Sequence, residues 1–122
     1  MAKKKAKYAS EFRKIYNKEM KGHPTYIYAK VGEKFHFIGI THAEITRSVK
    51  NIKLDKNPNP KDISSSYIRP MTNAAKSKFF GRILKFWKFS NNDISKVEGV
   101  INSNKDIIIV KDKRKKLKKK GR

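Results

Sequence analysis

Residues 25–31 and 34–41 are rich in β-branched and aromatic side chains, and only Gly32-Glu33 lies between them. No other stretch constrains the fold as much. A two-residue connection with glycine first joins antiparallel strands without splaying them. If Val31 faces Lys34, strict alternation gives the hairpin two faces. One carries Ile27, Ala29, Val31, His36, Ile38 and Ile40, the other Tyr26, Tyr28, Lys30, Phe35 and Phe37. Both are apolar, whereas a hairpin with one side in water needs a single apolar face. Either protein covers both, or one is a binding surface. On the second reading Tyr26, Tyr28, Phe35 and Phe37 form a stacking platform for single-stranded bases. On the first, the N-terminal segment or residues 79–89 cover them.

The flanking segments complete an outline. Tyr8, Phe12, Ile15, Tyr16 and Met20 recur at helical spacing, which predicts a helix over 8–21 stopped by Gly22-His23-Pro24. Residues 49–54 alternate like a third strand. Asn57-Pro58-Asn59-Pro60 is a loop, because two prolines remove donors and fix φ. Residues 66–69 form a short strand ended by Pro70. Residues 79–89 are densely apolar and ambiguous between helix and strand. Ser90-Asn91-Asn92-Asp93 resembles a capping box before a helix that carries Ile94, Val97, Val100 and Ile101 on one face. Residues 107–110 are β-prone.

The expected class is α+β: a small curved antiparallel sheet, as an SH3-like or OB-like barrel, with N-terminal and C-terminal helices and basic tails. The expected organisation is a basic N-terminal helix at 1–21, a compact β-rich domain with a C-terminal helix at 22–110, and a basic tail at 111–122 that is disordered when free. With no cysteine there is no disulfide or thiolate metal site. No apolar run is long enough to span a bilayer, so no membrane is expected, and cytoplasmic location is the default.

The charge names a partner class. The 122 residues hold 32 Lys and Arg against 10 Asp and Glu, a formal +22. Residues 1–21 carry eight basic and two acidic groups, and 111–122 carry nine and one. Such ends repel each other unless a polyanion is near, and nucleic acid, RNA more than DNA, is the expected partner. Lys3, Lys4, Lys5, Lys30, Arg47, Arg69, Lys113, Arg114, Lys115 and Lys116 are the expected phosphate contacts.

No Walker loop, dinucleotide fingerprint, HExxH or CxxC occurs, so no cofactor and no metal site are expected. His23 precedes a proline and His36 lies on the isoleucine face. His42 follows Thr41 at the end of the second strand, where scaffolds place chemistry. With Arg47 and Arg69, Thr41 and His42 are the parts of a metal-independent ribonuclease. The base would take the proton from a 2′-hydroxyl, and arginine would stabilise charge on phosphorus. Otherwise Thr41-His42 is a turn and the arginines only touch phosphate.

The stretch Lys34-Phe35-His36-Phe37-Ile38-Gly39-Ile40-Thr41-His42 resembles a strand-and-loop element of the PemK/ToxN-like small ribonuclease toxins. The resemblance implies an SH3-like barrel, RNA cleavage without metal, and Thr41 at the position of the catalytic hydroxyl. The family's proline in that strand corresponds to Gly39 here, and its lysine beyond the loop is unmatched. Residues 22–103 also resemble small basic proteins of bacterial mobile elements. Three functions follow: a basic nucleic-acid-binding protein, a toxin-type ribonuclease, or a protein-interaction or inhibitor module.

Overall fold

The computed structural model describes residues 5–18, 20–104 and 108–110. In order they form β1 (Lys5–Tyr16), β2 (Lys21–Val31), β3 (Lys34–Thr41), β4 (Ile45–Thr46), β5 (Val49–Lys50), β6 (Ile52–Lys53), β7 (Tyr67–Ile68), β8 (Asn73–Lys76), a 3-10 turn at Ser77–Phe79, α1 (Asn91–Ser103) and β9 (Ile108–Val110). The strands build a seven-stranded sheet in the order β6-β7-β3-β2-β1-β9, with β8 also against β3, and a separate two-stranded β4-β5 ribbon. All described pairs are antiparallel except β1 with β9.

The central hairpin forms as expected. Val31 pairs Lys34, and Gly32 takes φ +59° at the first turn position, which glycine adopts without steric cost. The register then shifts between Ile27 and Ala29, so Ile27 meets Phe37 and Tyr26 meets Ile38. This bulge at Tyr28 redistributes the faces that strict alternation assigns. Tyr26, Tyr28, Ala29, Ile38 and Ile40 join one core with Phe12, Leu54, Ile68, Phe89, Val97 and Val100. Ile27 and Phe37 join a second with Ala9 and Ile15, against which Met20, Phe35, Phe79 and Phe80 pack.

Two expectations are corrected. The segment read as an N-terminal helix is β1, and Gly22, His23 and Pro24 lie inside β2 rather than ending a helix. Phe12 and Ile15 serve opposite cores, so their spacing of three, which mimics a helical stripe, is an odd step across a strand. Pro24 pairs Lys14 of β1 and lies beyond the β2–β3 register, so its missing N–H breaks no bond to β3. The second correction is that the sheet is open and not a barrel, running from β6 to β9. β6 and β7 have two residues each, too short to curl round and close it.

Residues 79–89 are neither helix nor strand for most of their length because they serve both faces. Phe80 packs at 5.1 Å from Phe35 and 5.4 Å from Phe37 on the second face. The chain then rounds the edge of β1. The amides of Gly81 and Leu84 donate to the carbonyls of Lys14 (2.8 Å) and Phe12 (2.7 Å). Phe89 lies 4.9 Å from both Phe12 and Tyr26 on the first face. Tilted and edge-on ring pairs of this kind contribute about 0.5–1.5 kcal/mol beyond area burial.

α1 begins as its sequence indicates, with the Ser90 hydroxyl accepting from the Asp93 amide at 3.2 Å. Asp93 has a different role from a capping-box partner. Its fully buried carboxylate accepts from the amides of Asp55 (2.7 Å) and Lys56 (3.1 Å) and pairs Lys96 at 3.3 Å. It therefore pins α1 to the loop after β6. Asp93→Ala would orphan two amides at about 1–3 kcal/mol each. Urea denaturation should show a destabilisation of that order, and an unchanged midpoint would mean that the contact is dispensable.

Candidate nucleic-acid interface

The end of β3 gathers the residues singled out in the sequence. Thr41 pairs Tyr67 of β7, and its hydroxyl accepts from the Ala43 amide at 3.1 Å. The exposed His42 turns to the 57–65 loop. Its Nδ1 is 3.0 Å from the Ser65 carbonyl, and its Nε2 is 3.6 Å from Asp62 Oδ2. Ser64 donates to Asp62 through its hydroxyl (2.7 Å) and its amide (2.9 Å). These bonds, with a smaller contribution from His42, hold the Asp62 carboxyl below the usual range. Both His42 nitrogens thus face oxygens of the protein.

Arg69 lies across β3, its amide bonded to the Gly39 carbonyl at 2.9 Å. A Cβ at residue 39 would press to 3.2 Å on Arg69 Cγ, so glycine leaves room for the arginine stem. The guanidinium donates to Asn51 Oδ1 at 2.7 Å, and Nη1 is 3.4 Å from the Thr46 carbonyl. Buried Asn51 donates in turn to the Ala43 carbonyl and the Thr46 hydroxyl, both at 2.9 Å. Together they anchor the β4–β5 ribbon. Its turn, Arg47-Ser48, has φ of +50° and +67°, values that non-glycine residues rarely adopt in succession. Arg47 is exposed at the tip.

The structure therefore brings Thr41, His42, Arg47 and Arg69 around one strand end, with Thr41, His42 and Arg69 engaged by the protein itself. It does not expose the expected stacking platform. Tyr26, Tyr28 and Phe37 are 8%, 2% and 2% exposed. Phe35 lies under Phe80, with Arg13 at 5.5 Å and Lys30 at 5.2 Å from its ring. Lys30 also pairs Glu11 at 3.2 Å. Lys5 opens β1, while Lys3, Lys4, Lys113, Arg114, Lys115, Lys116 and the rest of the 111–122 tail lie outside the described residues. Among the described residues no group of three or more His, Asp or Glu is placed to hold a metal ion, and no helix is long and apolar enough to cross a membrane.

The sequence gives little sign of a second feature. An open cleft of about 1460 Å3 lies between α1, the loop following β6 and residues 86–91, with Phe12, Tyr26 and Tyr28 among its lining. The Tyr26 hydroxyl bonds Ser10 Oγ at 3.0 Å. Burial, opposed by that bond and aided by Tyr8 and Glu98, pushes the phenol up to about 12. Phe86, 79% exposed, stands in the lining. Within the run 79–89 nothing distinguishes it from the aromatics that pack inward.

Comparison with protein-family models, curated proteins and solved structures finds no match to this chain. The functional reading therefore rests on geometry and charge.

Because the folded-state pKa of Tyr26 lies above the ordinary 10, its contribution to stability is complete below pH 10 and is lost as pH climbs from 10 to about 12. Denaturant unfolding across that window should show a smaller decline in Tyr26→Phe than in the wild type. Identical declines would assign the alkaline loss to other groups.

Proposed function

We propose that this is a small basic nucleic-acid-binding protein whose partner is RNA or another single strand. The observation that carries this is the register of lysines in the sheet. Lys7 stands directly opposite Lys30, and Lys34 directly opposite Lys76. Like charges so opposed destabilise a sheet on their own. Glu11 offsets the first pair through Lys30. Among the described residues the ion pairs engage Arg13, Lys30, His42 and Lys96, and none reaches Lys34 or Lys76. A bound polyanion supplies the counter-charge that this arrangement lacks.

Single strands are favoured over groove reading of a duplex. Among the described residues α1 is the sole α-helix, and it carries Asp93 and Glu98 against Lys96. A helix of that charge is poorly suited to a groove flanked by phosphates. Arg47, projecting on its anchored ribbon, and Arg69 at the ribbon's base supply further cations toward the Thr41 end of β3.

The ribonuclease alternative draws on the gathering of Thr41, His42, Arg47 and Arg69 at one strand end. It has less support, because three of these side chains are held by the protein and the open sheet departs from the barrel that the toxin resemblance implies. RNA cut in the presence of EDTA, and spared by His42→Ala, would replace the binding reading with this one.

Fluorescence anisotropy with labelled single-stranded RNA over a salt series tests the main proposal. Affinity should fall with log salt at about −0.7 per phosphate contacted. Lys34→Gln with Lys76→Gln should flatten that slope and raise thermal stability. Tight binding indifferent to salt would overturn the proposal.

A further inference from the structure

Ser66 precedes β7, and its backbone carbonyl accepts from the Leu54 amide at 2.9 Å. The residue is 1% exposed, and its hydroxyl has no hydrogen-bond partner among the described residues. A buried polar atom without a partner is uncommon and costly, so it calls for a physical reason. Ser66 is one of the residues lining the cleft between α1 and the loop after β6. The unpartnered hydroxyl is itself shut off from solvent, so it stands behind the cleft surface and offers a ligand no direct contact.

The lining has a definite chemistry. Tyr26 belongs to it, its phenol kept protonated up to strongly alkaline pH. At the mouth stand Phe86, 79% exposed, and Tyr8, 41% exposed. Lys56 and Lys88 flank it, on two segments joined by the bond from the Lys88 amide to the Pro58 carbonyl at 3.2 Å. The lining also contains acids. Asp55 is held by Lys96 (3.0 Å) and Asn92 (3.1 Å), and Asp62 by Ser64. Glu98 remains on the α1 wall, away in sequence from the two lysines. Such a site suits a planar, partly apolar group with an anion at its outer end.

The geometry points to this cleft as the seat for one unpaired nucleotide of a bound strand. The base stacks on Phe86, and the adjoining phosphate meets Lys56 and Lys88. This rests on the nucleic-acid reading above and adds where the strand is held by its bases. The aromatic contact thus moves from the buried ring set of the hairpin to the rim of the cleft.

The test compares two labelled strands of equal length and charge: a single-stranded RNA and the same backbone with stable abasic residues. Wild type should prefer the base-bearing strand at least about fivefold, the low end of what one stacked base contributes. Phe86→Ala should bring the ratio close to one without changing the salt slope. Ser66→Ala should leave the ratio as it is and the thermal midpoint unchanged or higher, because the hydroxyl is closed to the ligand and has no bond to lose. Phe86 is mostly exposed, so its variant keeps the fold. Equal binding of both strands by the wild type would overturn the cleft assignment and leave the nucleic-acid reading standing. A base preference that survives Phe86→Ala would do the same. Failure to bind either strand would overturn both.

Discussion

The fold depends on one constraint: a single sheet whose two faces both have to be buried by one short chain. Residues 79–89 meet it. They cover one face with Phe79 and Phe80, bond along the edge of β1 through Gly81 and Leu84, and reach the other face with Trp87 and Phe89. The Arg13 guanidinium ties the crossing to β1 by donating to the Gly81 carbonyl at 2.8 Å. This wrap also protects part of an edge that would otherwise present unpaired amides and carbonyls. The cleft follows from it. The wrap covers Phe35 and Phe37, brings Phe86 to the mouth of the cleft, and leads into α1, which forms the cleft's opposite wall.

How far the sequence discloses this differs by element. The β2–β3 hairpin and α1 are legible because their signals are local: a glycine at the first turn position, and Ser90 ahead of a helical stripe. β1 is not, because its apolar residues divide between two cores, and an odd step between Phe12 and Ile15 imitates helical spacing. The Tyr28 bulge is silent as well. It shifts the register by one and moves Tyr26 to the face shared with Ile38, away from Phe37. The stacking platform assumed that Tyr26, Tyr28, Phe35 and Phe37 share a face, and two non-local facts, the bulge and the wrap, remove it. At the end of β3 the sequence marks Thr41, His42, Arg47 and Arg69 by residue type. It has no means of showing that Asn51 and the Ser65 carbonyl already engage two of them. Ser66 and Phe86 carry no local mark, since an unpartnered hydroxyl and an outward ring are defined only by their surroundings.

The distribution of charge has a cause deeper than composition. Four carboxylates are committed to structure: Glu11 to Arg13 and Lys30, Asp55 to Lys96, Asp62 to Ser64, and Asp93 to two amides. Each is an anion turned to internal use, while most lysines of the described residues point to solvent. The outward surface of the described residues is therefore dominated by lysines. Salt acts on this surface in two opposite senses. It screens the repulsion between Lys34 and Lys76 and so favours the folded sheet. On the proposed binding reading it would also compete with phosphates for the same lysines and so weaken binding. On the proposed reading a bound strand would do what salt does for the fold while gaining affinity from it, linking folding and binding through the same cations. Stability alone would be served by replacing these lysines, and their presence in register is what the binding reading accounts for.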